Sequence, residues 1–260
     1  MPAVLAIAAH PDDIEFLMSG TLLALKQTGY EVHYMNLADG CCGTTKYARE
    51  EIAAMRLAEA KAAAGSIGAI FHAPICHDLE IFYQKDLLAQ VTSVVREAKP
   101  EIVLTHAPSD YMEDHMNACR LSVSAAFCRG MPNFQVTPDR SPIAGKVTLY
   151  HAQPYQNRDP LRKLIQPEFF VDTTSLVEQK VAMLGHHKSQ KDWLDESQGL
   201  DSYLVALREM DQLVGSLSDS FQFAEGWRRH LHAGYCDPDD DPLTKALANR
   251  VEFNPNYQLD

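Results

Sequence analysis

The sequence predicts an α/β protein with a Rossmann-like, doubly wound, mostly parallel sheet flanked by helices. Two observations lead to this prediction. Short apolar runs of the kind found in buried parallel strands recur along the chain, and helix-like segments separate them. Alternation of this kind favours parallel strands joined by right-handed crossovers. With 260 residues and 46% hydrophobic content, the chain is long enough for one large domain.

The predicted strands are short runs rich in Val, Ile, Leu and Ala. In chain order they cover residues 4–8, 32–37, 69–71, 102–105, 147–150 and 169–172. A strand buried on both faces is apolar throughout, and these runs fit the interior of a parallel sheet for that reason.

Helical patterns lie between the strands, with apolar residues spaced three or four apart. They cover residues 14–28, 49–64, 86–99, 117–126, 175–187 and 200–217. The second is predicted to stop at Gly65 and the third before Pro100, because these residues disfavour continuation of a helix. We predict a single domain over residues 1–235 and a polar C-terminal extension over residues 236–260, whose acidic run 237–242 is interpreted as a solvated loop.

Charge and hydropathy narrow the class of partner. The formal net charge is −12, whereas surfaces that bind nucleic acid or anionic membranes need clustered Lys and Arg. No stretch approaches the roughly 20 apolar residues that span a bilayer, and the apolar N-terminal run lacks the basic flank of a signal peptide. The six cysteines contain no CxxC pair and are interpreted as reduced thiols. We therefore expect a cytoplasmic protein that binds a small molecule, without nucleic acid or membrane insertion, either alone or as a homo-oligomer.

Reactive polar residues follow the predicted strands, at the sheet edge where ligands bind in this fold class. The first strand leads into His10-Pro11-Asp12-Asp13, and the fourth leads into the segment 106–115. Adjacent carboxylates are costly to bury unless a cation neutralises them, and zinc accepts both imidazole and carboxylate ligands. The pattern predicts a metal site that uses His10 and Asp13. A third ligand is expected from the segment 106–115, which contains His106 and His115.

Two motifs carry a resemblance to a known family. The segments His10-Pro-Asp-Asp-Ile-Glu15 and Asp110-Tyr-Met-Glu-Asp-His115 resemble those of PIG-L (LmbE-like) deacetylases, zinc enzymes that remove acetyl groups from N-acetylglucosamine-containing molecules. Weaker similarity occurs at residues 56–59, 78–80, 187–190 and 223–228. The resemblance implies zinc (Zn2+) held by His10, Asp13 and His115, with Asp12 as general base. It also implies an N-acetylated sugar or glycoconjugate as the partner.

The remaining site predictions concern the substrate. The resemblance places Arg56 and Asp78 against the substrate, with a salt bridge on the helix surface as the alternative for Arg56. Met112 stands where family members often have a histidine, and a thioether cannot donate a hydrogen bond. A substitute donor is expected from His106, His187 or Tyr111. The predicted substrate-binding residues are Arg56, Asp78, His106, Asp110, Met112, His187 and Gln190.

These observations predict a zinc-dependent hydrolase that deacetylates an N-acetylated amino sugar or a related small amide. Metal-activated water would attack, with Asp12 as the base. One alternative is a hydrolase of another amide or ester at the same site. A second is a zinc-retaining, non-catalytic sugar-binding protein, which Met112 keeps open. A nucleotide-binding Rossmann protein is disfavoured because no GxGxxG follows the first strand.

Overall fold

The computed structural model describes residues 1–198 and 202–257. An eight-stranded sheet forms the centre of this part of the chain. Its strands are β1 (Ala3–Ala8), β2 (Glu31–Asn36), β3 (Ile70–His72), β4 (Ile102–Thr105), β5 (Thr148–Ala152), β6 (Phe169–Asp172), β7 (Ala224–Arg229) and β8 (Val251–Phe253). The strand order is β3-β2-β1-β4-β5-β7-β6-β8. The first five strands are parallel, and β7, β6 and β8 pair antiparallel.

Helices cover both faces of this sheet. They are α1 (Asp13–Leu17), α2 (Ser19–Gln27), α3 (Arg49–Ser66), α4 (Lys85–Ala98), α5 (Glu113–Cys128), α6 (Val177–Leu184), α7 (Lys188–Gln198), α8 (Ser202–Gly215) and α9 (Pro242–Ala246). Apolar side chains of α4 and α5 form the core on one face, and those of α1, α2, α3, α6 and α8 contribute to the core on the other. This arrangement confirms the predicted fold class. Among the described residues, no helix is long and apolar enough to cross a membrane.

The predicted strands correspond to β1 through β6, with bounds that differ by at most two residues. The predicted helix 14–28 is two helices, because the backbone at Met18 leaves the helical region with φ of −139°. Helix α3 continues through Gly65 to Ser66. The predicted helix 200–217 corresponds to α8 where the structure describes it. Residues 199–201 lie outside the described residues.

The segment expected to be a polar extension is part of the sheet. Strand β8 pairs with β6, and Leu243 of α9 is fully buried. In the acidic run, Asp241 accepts hydrogen bonds from the Tyr150 hydroxyl at 2.6 Å and from the Thr244 amide at 3.3 Å. Within the predicted extension, Leu243 and β8 therefore pack against the rest of the domain.

Candidate metal centre

The loops that follow β1 and β4 meet at one edge of the sheet, because these two strands are parallel neighbours. The loop after β1 carries His10 and leads into α1 at Asp13. The loop after β4 leads into α5, whose first turn contains His115. These three residues each offer a ligand atom, and the three atoms lie within 4.8 Å of one another. The structure thus brings together the three residues predicted to bind metal.

Asp13 lies at the middle of this cluster. Its Oδ1 is 3.3 Å from His115 Nε2, and its Oδ2 is 3.5 Å from His10 Nδ1. The same Oδ2 accepts a hydrogen bond from the His10 backbone amide at 2.7 Å. Two imidazole nitrogens therefore face one carboxylate in the space where a cation would bind.

A second carboxylate holds the outer nitrogen of each predicted imidazole ligand. His10 Nε2 lies 2.9 Å from Asp114 Oδ2, and His115 Nδ1 lies 3.0 Å from Asp110 Oδ1. Metal-binding histidines commonly have such outer carboxylates, which fix the ring orientation and raise the basicity of the ligand.

The charges of the cluster favour occupancy by a cation. Burial alone would lower the pKa of His10, but the hydrogen bonds to Asp114 and Asp13 raise it to about 9. For His115, the charge of Asp13 and the hydrogen bond to Asp110 overcome burial and raise the pKa to about 10. Without metal, protons on these imidazoles offset the buried carboxylates, and a divalent cation can replace them. Two imidazoles and a carboxylate are a donor set that catalytic zinc uses.

His106 lies beneath the cluster. Its side chain is fully buried, and its Nε2 accepts a hydrogen bond from the Ala9 amide at 2.9 Å. His106, Asp110 and His115 form a second geometric cluster. In that cluster, however, Asp110 is bonded to the outer nitrogen of His115, and the Nε2 of His106 is already engaged. The geometry favours His115 over His106 as the third ligand.

The predicted ligands open onto a cavity of about 420 Å³, a size typical of small-molecule sites. Much of its wall is aromatic. The aromatic lining residues are Phe16, Tyr111, Tyr155, Trp193 and Tyr203. Phe16 contacts the rings of Tyr155 and Tyr203 edge-on at centroid distances of 5.5 and 5.2 Å.

Asp12 lies on the same cavity and has its own partners. The Tyr203 hydroxyl donates to Asp12 Oδ2 at 2.7 Å, and the Arg56 guanidinium lies 3.4 Å from the same oxygen. Burial raises the pKa of Asp12, although the charge of Arg56 opposes this effect. The backbone of Asp12 has φ of +100°, a left-handed conformation uncommon for a residue with a side chain. Tyr203 was not predicted from the sequence, because it lies 191 residues from Asp12 and in no recognisable motif.

Four of the predicted substrate-binding residues line the cavity: Arg56, Asp78, Met112 and Gln190. Arg56 is buried and donates to the carbonyl oxygens of Pro11 and Gly40, so the alternative of a helix-surface salt bridge is wrong. Both carboxylate oxygens of Asp78 accept backbone hydrogen bonds, at 2.7 and 2.8 Å. Gln190 donates to the Gly43 carbonyl at 2.8 Å. Asp78 and Gln190 therefore also shape the loop at 40–43.

The other three do not line the cavity. Asp110 and His106 are fully buried behind the predicted ligands. His187 is also fully buried, with Nε2 3.4 Å from Glu15. The structure corrects the expectation that these side chains contact substrate directly. Of the three expected substitutes for a donor at Met112, Tyr111 is the one that lines the cavity.

Known proteins resemble this chain in sequence and fold. Residues 5–127 match the model of the PIG-L family, described as GlcNAc-PI de-N-acetylase. A diacetylchitobiose deacetylase of Thermococcus kodakarensis is 31% identical over 197 residues, which are 72% of this chain and 69% of that protein. A 4-oxalmesaconate hydratase of Pseudomonas putida is 27% identical over 190 residues, which are 70% of this chain and 71% of that protein. The solved N,N'-diacetylchitobiose deacetylase of Pyrococcus horikoshii has a TM-score of 0.73 and 25% identity, covering 88% of this chain and 83% of that one.

Proposed function

This chain belongs to the PIG-L family, and we propose that it is a zinc-dependent hydrolase that deacetylates an N-acetylated amino sugar or a related small amide. One observation carries the proposal. His10, Asp13 and His115 form a metal-type donor set on the same cavity as Asp12, a carboxylate outside that set. A hydrolase that activates water needs these two parts, a Lewis acid and a separate base.

The role of each residue follows from its position. His10, Asp13 and His115 would hold the metal, which when bound supplies Lewis-acid chemistry that makes water more acidic and polarises a carbonyl. Asp12 would take the proton of the attacking water and return it to the departing amine. The hydrogen bond from Tyr203 orients the Asp12 carboxylate for this transfer. Because burial raises the pKa of Asp12, the carboxyl can also hold the proton between the two steps.

Tyr111 is our candidate for the donor that Met112 cannot provide. Its ring packs edge-on against the His115 ring at a centroid distance of 5.6 Å. A phenol can donate a hydrogen bond to the oxyanion that develops on the amide carbonyl. We propose that Met112 contributes an apolar contact to the substrate, which suits its flexible thioether.

The aromatic wall supports a sugar as the substrate. Tyr111, Tyr155 and Trp193 present ring surfaces to the cavity. Such rings offer large, rigid apolar contact areas, onto which the C–H faces of a sugar ring can pack. The related deacetylase named for diacetylchitobiose supports the same class of substrate.

A second candidate is hydration of an unsaturated acid, as the name of the related hydratase indicates for that protein. The observation in its favour is Arg56, which lines the cavity and has a buried Nε with no hydrogen-bond partner among the described residues. A guanidinium is suited to binding a substrate carboxylate. Such a reaction would use the same water-activating residues and add the water across a carbon–carbon double bond.

A paired assay separates the two. The zinc-loaded protein is incubated with N-acetylglucosamine or N,N'-diacetylchitobiose, and released amine is measured; in parallel, loss of ultraviolet absorbance is followed with unsaturated dicarboxylic acids. We expect amine release that a chelator abolishes and zinc restores. Hydration without amine release would overturn the deacetylase proposal. Sugar binding without either reaction would favour the non-catalytic alternative.

A further inference from the structure

A second cluster of metal-binding residue types lies on the loops after β2 and β3. The isolated bridge between Ala38 and Cys76 extends the pairing of these strands and places Asp39 beside His77. Asp39 Oδ2 and His77 Nδ1 are 2.6 Å apart. Cys41 completes the group, and the three ligand atoms lie within 4.8 Å of one another. None of these residues belongs to the metal centre described above.

A second thiol lies within reach of the first. The sulfur atoms of Cys41 and Cys42 are 3.9 Å apart, and both cysteines are free. Around tetrahedral zinc, with Zn–S bonds of about 2.3 Å, two sulfur ligands are separated by about 3.8 Å. The spacing of the two thiols therefore matches that of a shared metal ion.

The local charge also favours a cation. Two carboxylates lie beside the Cys41 thiol, because Asp39 accepts the Cys41 amide at 3.1 Å and a ligand atom of Asp78 lies within 4.8 Å of both thiols. Carboxylates and thiols placed together form a donor set that a divalent cation can bind, with release of the thiol protons. Arg49 reaches Cys41 from the surface and pairs with Glu80 at 3.1 Å. Its side chain is half exposed, so it can leave when metal binds.

We infer that Asp39, Cys41 and His77 form a second site for a thiophilic divalent metal such as zinc, and that Cys42, which is grouped with Cys41 and Asp78 in the metal-free structure, moves toward this site to supply a second sulfur. Sulfur ligands distinguish this site from the candidate metal centre, whose donors are nitrogen and oxygen. Cys42 and Gly43 line the substrate cavity, and Gly43 accepts the hydrogen bond from Gln190. Metal at the second site would therefore fix one wall of the cavity.

Cobalt substitution tests the inference without an activity assay. Thiolate bound to Co2+ gives a charge-transfer absorption in the near ultraviolet, which a site of two histidines and an aspartate cannot give. We expect the metal-free, fully reduced protein to bind two equivalents of Co2+, with this absorption arising from one of them. His115→Ala should lose the other equivalent and keep the absorption, so failure of the proposed function and of this inference are distinguishable.

Two variants locate the site. Cys41→Ser should abolish the charge-transfer absorption and reduce bound zinc from two equivalents to one, whereas the matched control Cys236→Ser should retain both. His77 is exposed, so His77→Ala should fold normally and weaken Co2+ binding at this site at least tenfold. Absence of the absorption in the native protein at saturating Co2+ would overturn the inference. So would its persistence, with unchanged affinity, in both Cys41→Ser and His77→Ala.

Discussion

Two clusters of buried charge lie on this sheet, and they differ in how completely their atoms are paired. The candidate metal centre surrounds Asp13 at the end of β1. The other, the Lys180 cluster, consists of Lys180, Asp211 and Glu225. Both are almost inaccessible to solvent, so burial of charge does not by itself distinguish a functional site from a structural one.

The Lys180 cluster is closed. Lys180 Nζ contacts both oxygens of Asp211, at 2.9 and 2.8 Å, and Glu225 Oε1 at 2.6 Å. The Glu225 carboxylate also accepts the backbone amides of Gly20 and Thr21, each at 2.8 Å, near the start of α2. Each charge has partners within the protein, and the cluster links α2, α6, α8 and β7.

The metal centre is open. Among the described residues, His106 Nδ1, Asp110 Oδ2 and Arg56 Nε are buried without hydrogen-bond partners, and the predicted ligands face a cavity. Buried polar atoms are rarely left unpaired unless a water, an ion or a ligand serves them. Incomplete pairing around a cavity therefore distinguishes the candidate metal centre from the fully paired Lys180 cluster. The following variants test this distinction.

The largest effect is expected from His115→Ala. Loss of one of three ligands should remove the bound metal and reduce amine release below detection, while the metal-free protein keeps its fold. Elemental analysis and circular dichroism measure the two results, with His186→Ala as a histidine control away from the cluster. A full equivalent of metal that persists in His115→Ala, with the sulfur-containing site blocked by Cys41→Ser, would contradict the ligand assignment.

Asp12→Asn should keep the metal and lose activity. Asparagine preserves the shape and tolerates the left-handed backbone at this position, but it cannot accept a proton. A general base contributes about 10²- to 10⁴-fold, and kcat should fall by this factor at saturating substrate and equal metal content. Near-native turnover would show that another group is the base.

Lys180→Met should act on stability alone. Removing one partner of a buried ion pair costs about 3–5 kcal/mol, because charged partners are left behind. Urea unfolding measures this loss, and the metal content of the folded fraction should not change. Arg208→Met, which breaks an exposed ion pair with Glu178, is the control and should cost less than about 1 kcal/mol. Loss of metal from folded Lys180→Met would remove the distinction between the clusters.

The smallest effect is expected from Tyr203→Phe. This change removes the hydrogen bond to Asp12 and keeps the ring that packs on Phe16. A hydrogen bond to a charged group contributes about 1.5–3 kcal/mol, and we expect kcat to fall about tenfold or more with KM unchanged. Tyr155→Phe is the control on the same wall. An equal loss in both variants would indicate a general effect of the wall on substrate binding.

The sequence was most informative where the chemistry is local. His10, Asp12 and Asp13 form one short motif directly after the apolar run that predicted β1, and that motif predicted the cluster. Residues that meet through distant parts of the chain gave no such signal. Tyr203 approaches Asp12 because its ring in α8 packs on Phe16 of α1, and no spacing in the sequence records this contact.

Strands β7 and β8 were also not predicted, because their sequences lack the signal of a buried strand. Strand β7 contains Glu225, which lies inside the Lys180 cluster, so the segment lacks the apolar pattern of a buried strand. Strand β8 is short and lies at the sheet edge, where polar residues can face water. Conversely, His106 and His187 have the residue type of a catalytic donor but are held away from the cavity by their packing. The type of chemistry could be predicted from the residue types, whereas the access of each side chain to the substrate depends on the fold.

Asp12 has a left-handed backbone, and selection for stability and selection for turnover therefore act differently on this position. A residue with a side chain held at φ of +100° stores about 1–3 kcal/mol that glycine would not. Glycine would release this strain, but it would also leave the buried Arg56 guanidinium and the Tyr203 hydroxyl without the Asp12 carboxylate. A population of variants screened for thermal resistance alone should therefore show no single preferred residue at position 12, whereas one screened for amide hydrolysis should retain aspartate there.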